Sequence, residues 1–373
     1  MVEGQDKSGC LSCSADHTSV HVLTIRPSSS PSTMASMREK FEKYIRGLQD
    51  TIIIALEELD PNAPPFLRDR WDRPEGGYGI SSVFSVPFST TPATTILEKA
   101  GVNISVIDGT LPPAAVKQMR AYHPSLPSDP DSQESLPFLA AGLSIVIHPR
   151  NPHAPTVHAN YRYFEVAQPS DPTKVQAWWF GGGSDLTPSY LYDDDARHFH
   201  TTLKAACDAH GAALYTHFKT WCDEYFFIPH RGEARGIGGL FFDDLCNDPH
   251  KRLPDASLDD RPWTPDSIFA FVRAAGDAFL PSYMPILRRR AHTESTDEQR
   301  RWQLLRRGRY VEFNLVHDRG TKFGLMTPGA RIESILMSLP ETARWEYRSE
   351  VGTNAESEEG KLLEVLKNPK AWV

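Results

Sequence analysis

The spacing of apolar residues predicts the elements of this chain before any motif does. After Ser36, apolar side chains recur at Met37, Phe41, Tyr44, Ile45, Leu48, Ile52, Leu56 and Leu59, at intervals of three and four that mark one face of a helix. Ser36 and Glu39 make an S-x-x-E capping box in front of it, and Asp60-Pro61 stops it. Short β-type runs come next at 80–86, 102–107 (closed by Asp108-Gly109), 142–148, 157–165 and 176–180. The six prolines within 112–137 read as a surface connection, with a lid over a site as the sharper alternative.

Farther along, Asp193-Asp-Asp195 opens a helix through Ala196, Phe199, Leu203 and Cys207 to Gly211, where acids at the start suit the macrodipole. A second helix carries Leu214, Phe218, Trp221, Cys222 and Tyr225. The pattern then predicts a glycine-led strand at 236–244, a helix at 265–279, an alternating strand at 309–316 and a last helix at 358–367. Strands grouped with helices, without βαβ alternation, give an α+β chain with a mainly antiparallel sheet. Residues 1–36 hold nine serines and no aromatic residue, so they are expected to form a disordered tail.

Composition narrows the class. Hydrophobic residues make up 40% and charged residues 24% of the 373, ordinary for a soluble protein, and no apolar run reaches membrane-spanning length. The net charge of −8 counts against general nucleic-acid binding; an anionic ligand would need a few well-placed arginines. Five cysteines make no disulfide framework. Cys10 and Cys13 have CxxC spacing but no second pair, while Cys207, Cys222 and Cys246 read as reduced thiols. Glu3, Asp6 and Asp16 argue against a mitochondrial presequence, so the expected compartment is the cytoplasm, with the mitochondrial intermembrane space as the alternative.

On 157–165, period-two geometry puts His158, Asn160, Arg162 and Phe164 on one face and Val157, Ala159, Tyr161 and Tyr163 on the other. An imidazole, an amide and a guanidinium in line suit an anionic, partly apolar ligand. A half-buried strand with a structural histidine is the plain alternative, and the pattern leaves both open. Ser144, Val146 and His148 share a face of the preceding strand. Trp178-Trp-Phe-Gly-Gly-Gly-Ser-Asp185 runs into three glycines and an acid. That is either a turn with Asp185 capping the next element, or a place where a flat ligand meets the main chain.

His200 faces inward on its helix. With His148, His158 and His230 it could join a metal cluster, although no compact ligand motif occurs. There is likewise no P-loop and no GxGxxG. Arg288–Arg290, Arg300, Arg301, Arg306, Arg307 and Arg309 read mostly as solvated helix surface. Arg319 and Arg331 sit in glycine-containing turns, placed to grip a carboxylate.

Six runs (145–152, 157–162, 178–188, 235–244, 306–314 and 333–338), in order over about residues 37–373, resemble the oxygen-dependent coproporphyrinogen III oxidases. The resemblance implies a homodimer, each subunit one catalytic domain (37–373) built on a large flat antiparallel sheet with helices on both faces. It implies conversion of two propionates of coproporphyrinogen III to vinyls, giving protoporphyrinogen IX, with O2 consumed and CO2 and hydrogen peroxide released. By this likeness Ser144, Asn160, Tyr161, Arg162, Gly329, Ala330 and Arg331 bind substrate and His158 donates a proton. Asp185 and Arg319 sit at the reacting ring, with Asp185 as base or as acceptor for the pyrrole N–H groups. O2 is the implied co-substrate, and the resemblance to eukaryote-type members implies neither a metal nor an organic cofactor, so none is expected. Bacterial members are described with a divalent metal at positions matching His148, His158, His200 and His230. A metal-dependent oxygenase and a non-catalytic tetrapyrrole carrier are the rival classes.

Overall fold

The computed structural model describes residues 35–86, 95–120, 123, 126, 134–253, 260–327 and 329–373. The expected tail, with Cys10 and Cys13, lies outside them apart from residues 35 and 36.

The capping box forms as read: Glu39 N–H donates to Ser36 Oγ (3.3 Å) and Ser36 N–H to Glu39 Oε2 (2.8 Å). Helix α1 spans Met37–Leu59 and buries Phe41, Ile45, Leu48, Ile52 and Leu56. The strands are β1 (Leu67–Asp72), β2 (Tyr78–Ser85), β3 (Leu97–Leu111), then, after helix α2 (Pro113–Arg120), β4 (Leu136–Pro149), β5 (Thr156–Gln168) and β6 (Asp171–Thr187). Helices α3 (Asp193–Asp208) and α4 (Leu214–Tyr225) come next, then the short β7 (Phe227–Ile228) and β8 (Glu233–Ala234), and then β9 (Gly239–Leu245). The remainder is helical: α5 (Pro265–Asp277), α6 (Phe279–Arg290), α7 (Asp297–Val316), α8 (Arg319–Met326), α9 (Ile332–Leu336) and α10 (Glu358–Lys367). Seven strands form one antiparallel sheet in the order β1-β2-β3-β4-β5-β6-β9, so the α+β reading holds.

One face of this sheet is closed. Tyr163 and Phe180 pack on Phe41 of α1, and the Tyr161 hydroxyl donates to Ala275 O of α5 (2.9 Å). Each large side chain buried here contributes about 2–3 kcal/mol. Among the described residues the other face is covered only in part. Toward the Pro149 end of β4, α7 brings Tyr310 edge-on to His148. Across β2 and β3, α9 docks through Ser334, whose Oγ lies 2.7 Å from Ser81 Oγ and whose carbonyl accepts from Asn103 Nδ2 (3.1 Å).

Four expectations change. Residues 309–316 are not a strand but the last turns of α7, which Thr296 and Gln299 cap reciprocally. The buried stripe of α7 contains charged residues, so hydropathy conceals its helical period. Arg306 donates to Glu233 Oε1 (2.6 Å), and Arg307 to Glu98 Oε2 (2.9 Å) and Pro149 O (2.8 Å); both arginines are buried rather than on the surface. The three glycines are no turn: Gly181–Gly183 lie inside β6 and pair with β5 on one side, Gly182 and Gly183 also with β9 on the other. Finally, Arg319 opens α8 instead of sitting in a turn, with Asp318 as N-cap accepting from Thr321 N–H (2.6 Å). The 112–137 connection contains α2; most of the rest of it lies outside the described residues.

Candidate active site

The half-open sheet face is built by register. Antiparallel partners point to the same side, so Ser105, Gly142, Arg162 and Gly181 form one row across β3 to β6, and Asn103, Ser144, Asn160, Gly183 and Phe241 form the next. Asn160 Nδ2 donates to Ser144 Oγ (3.3 Å), and Arg162 Nη1 to Asn160 Oδ1 (3.0 Å). Gly142, Gly181 and Gly183 raise no side chains above this shelf. At Gly181 the freedom is needed: a Cβ there would lie 2.5 Å from Arg162 Nε and 2.6 Å from Asp243 Oδ1. Phe164 bounds the shelf, stacked between Phe138 (5.4 Å) and Trp179 (4.4 Å).

His158 and Asp185 are direct partners in the third row. His158 Nδ1 lies 2.7 Å from Asp185 Oδ1, and Asp185 Oδ2 accepts from Arg235 Nη2, also at 2.7 Å. Asp185 and Arg235 are each only 2% exposed. A buried charge is costly unless paired, and here each is. Burial alone would raise the Asp185 pKa, but Arg235 and His158 outweigh it and hold the carboxyl below the usual range. Arg235 is itself wrapped by the Phe226, Tyr310 and Phe313 rings, 4.0, 4.6 and 5.0 Å from their centroids, and donates Nη1 to Asn314 Oδ1 (2.9 Å). With Nδ1 committed to the carboxylate, Nε2 is the His158 atom available to exchange a proton with a ligand.

Arg319 approaches the shelf from α8. Its Nη2 lies 3.9 Å from Asp243 Oδ2, and Arg162 Nη2 lies 3.1 Å from Asp243 Oδ1. Sequence reasoning assigns no role to Arg235 or Asp243. The available signals are a lone arginine leading a glycine run and acids ending an apolar strand; without the register, neither can be placed.

Not every expected residue joins this face. Tyr161 is fully buried on the closed side, because residues 160 and 162 occupy the open side. Arg331 pairs with Asp69 on β1, and Gly329 (φ +71°) lies against Glu75. The segment Gly329-Ala330-Arg331 is thus seated at the β1–β2 edge, the opposite edge of the sheet from β9. The four histidines do not assemble either. His148 is fixed by Thr156 Oγ1 (3.2 Å) and Ser338 O (2.9 Å), and His200 by Tyr215 Oη (3.0 Å) and Ile237 O (3.2 Å). Burial pushes both of these imidazoles down to about 3. His230 contacts His317 Nε2 (3.0 Å) and Glu312 Oε2 (2.8 Å). Among the described residues no three His, Cys, Asp or Glu side chains are grouped to hold a metal, so the four-histidine set does not fit a metal centre.

A carboxylate-held imidazole beside an arginine-lined shelf is an arrangement able to receive an anion and exchange a proton. The chain belongs to the coproporphyrinogen III oxidase family, whose profile matches residues 40–372. It is 53% identical over 338 residues to the oxygen-dependent coproporphyrinogen-III oxidase of Drosophila melanogaster, covering 91% of this chain and 79% of that protein. Identity to the mitochondrial protein of that name from Homo sapiens is 52% over 337 residues (90% and 67%), and to the chloroplastic one from Glycine max 48% over 341 residues (91% and 80%). These organelle relatives overturn the cytoplasmic expectation. It rested on acids near the N-terminus, which speak to only one kind of import signal.

Proposed function

We propose that this chain catalyses the O2-dependent oxidative decarboxylation of coproporphyrinogen III to protoporphyrinogen IX. The observation that carries the reading is the shelf: a glycine floor edged by Ser144, Asn160 and Arg162, with the His158–Asp185 pair in the next row. A flat tetrapyrrole can approach such a floor closely, and guanidinium groups suit its propionates.

Each propionate that becomes a vinyl loses CO2, two electrons and one proton. One O2 takes up the two electrons and two protons to give hydrogen peroxide, so each turn draws one net proton. His158 Nε2 is the group placed to supply it. Asp185, in this reading, holds the imidazole and stabilises its charged form, as carboxylates do for catalytic histidines. Both Asp185 oxygens are occupied, so the role proposed for it is holder of His158 rather than free base. Arg162 and Arg319 hold a propionate carboxylate at the Asp243 end, and Arg331 takes another after exchanging Asp69 for it. The exposed apolar side chains of α8 and α9, Phe323, Met326 and Ile332, support the homodimer that the family resemblance implies.

The test is product formation with and without air. Incubation with coproporphyrinogen III should yield protoporphyrinogen only when O2 is present. Binding without product in air would leave a carrier.

A further inference from the structure

The row that carries Arg162 continues past β3 to the edge of the sheet. Ser105 pairs with Gly79 on β2, and Gly79 with Trp71 on β1. Both therefore point to the open side, in line with Gly142 and Arg162. The indole of Trp71 leans inward from this edge strand and lies on Gly79, where a Cβ would collide with Cζ2, Cε2 and Nε1 of the ring. Only a glycine there lets the ring lie on the sheet. Trp71 Nε1 donates to Ser81 Oγ (3.1 Å), which lies 2.7 Å from Ser334 Oγ of α9. The indole is thus held from beneath and at one edge, stays half-buried, and has its single polar group engaged. Between it and Arg162 the floor is Ser105 and Gly142, a hydroxymethyl group and bare backbone. From Gly79 to Arg162 is three strand spacings, about 14 Å. The charged neighbours of Trp71 along the chain include Asp69, paired with Arg331, and Arg73, which donates to Gly76 O (3.4 Å) and Asp108 O (3.3 Å) and lies 3.6 Å from Glu75.

We infer that Trp71 is a substrate-contacting, specificity-determining residue of the proposed reaction: its indole is the wall that one edge of the tetrapyrrole meets opposite Arg162, and it limits the floor so that methyl groups fit on that edge and longer substituents do not. This rests on the functional reading above. A flat ligand with a propionate at the Arg162 end lies along Gly142 and Ser105, and its far edge then reaches the ring. That edge meets carbon alone, because the indole N–H is committed to Ser81. A ring fixed by Gly79 beneath it and by Ser81 at its edge yields little, and in such an apolar site one extra methylene counts about tenfold. The methyl groups are common to substrate and product, so this contact acts on ground state and transition state alike and belongs to KM rather than to kcat.

The experiment titrates the purified protein with two probes of equal charge, coproporphyrin III and a homologue with ethyl in place of its methyl groups. Binding is read from the porphyrin's own fluorescence. Every charged group around the shelf meets the same charges in both probes, so the ratio of their affinities reports size. Wild type should prefer the methyl compound about tenfold. Trp71→Ala, which uncovers Gly79, should weaken coproporphyrin III about tenfold and abolish the preference. Trp71→Phe, which keeps a shorter ring on Gly79, should fall between them with a preference of about threefold. A merely structural role for Trp71 would weaken both probes alike and leave the ratio at its wild-type value. Should Trp71→Ala not fold, the ratio in Trp71→Phe serves alone. A ratio that does not change with residue 71, or a wild type that binds the two probes equally, would overturn the inference. Neither titration involves turnover, so its failure is distinct from failure of the functional reading, which shows as a lack of product in air.

Discussion

His158 and Asp185 face each other in register across β5 and β6, with Nδ1 and Oδ1 2.7 Å apart. The sheet itself aims this pair, and Arg235 locks its far side. Two consequences can be measured on the pair directly.

His158→Ala removes the proton donor and should lower kcat by about 10²–10⁴-fold, with KM within a few-fold of wild type. Loss of binding with kcat at saturation preserved would assign His158 to gripping the ligand instead.

Asp185→Asn should nearly stop oxygen consumption while substrate still binds. Because the two residues act as one unit, adding His158→Ala should cost little more, whereas independent roles would multiply. The variant also leaves Arg235 buried without its carboxylate, so urea unfolding should report a loss of about 3–5 kcal/mol.

How legible each element is in the sequence depends on how local its determinants are. Helix α1 is readable because its cap and apolar stripe are local. The shelf on β5 is readable because alternation alone places His158, Asn160 and Arg162 together, and by the same alternation it turns Tyr161 away. The end of α7, 309–316, reads wrongly as a strand and its arginines as solvated surface because Arg306 and Arg307 are buried by pairing with Glu233 and Glu98, glutamates 73 and 209 residues away. The glycines of β6 leave a turn open as one of two readings because nothing local shows that Arg162 and Asp243 meet across Gly181. Arg235 and Asp243 become visible only once β6 and β9 are in register.

Arg331 tests the far end of the site. Arg331→Ala should raise KM for the tetrapropionate about tenfold with little change in kcat. Asp69→Ala, which removes its competing partner, should lower KM. An unchanged KM in both would take Arg331 out of substrate binding.

The Glu98 cluster sets a pH limit on stability. Burial works against its charge, but Arg307 and Arg300 outweigh that and hold the carboxyl at about 2. An unfolded glutamate titrates near 4.3, so this contribution is complete above that value and is lost as pH falls toward 2. Urea midpoints between pH 5 and pH 2.5 (a range of roughly these two values) should therefore fall less steeply in Glu98→Gln than in wild type. Parallel slopes would show that Glu98 titrates alike in the folded and unfolded chain.

The most direct test of the catalytic account is one stoichiometry. In an oxygen electrode, coproporphyrinogen III added to the wild-type protein should consume two O2 per protoporphyrinogen IX formed, with peroxide and CO2 appearing in the same two-to-one ratio to product. His158→Ala should lower the rate of that trace and leave its ratio unchanged. A wild-type protein that binds the tetrapyrrole but draws no oxygen would contradict the account.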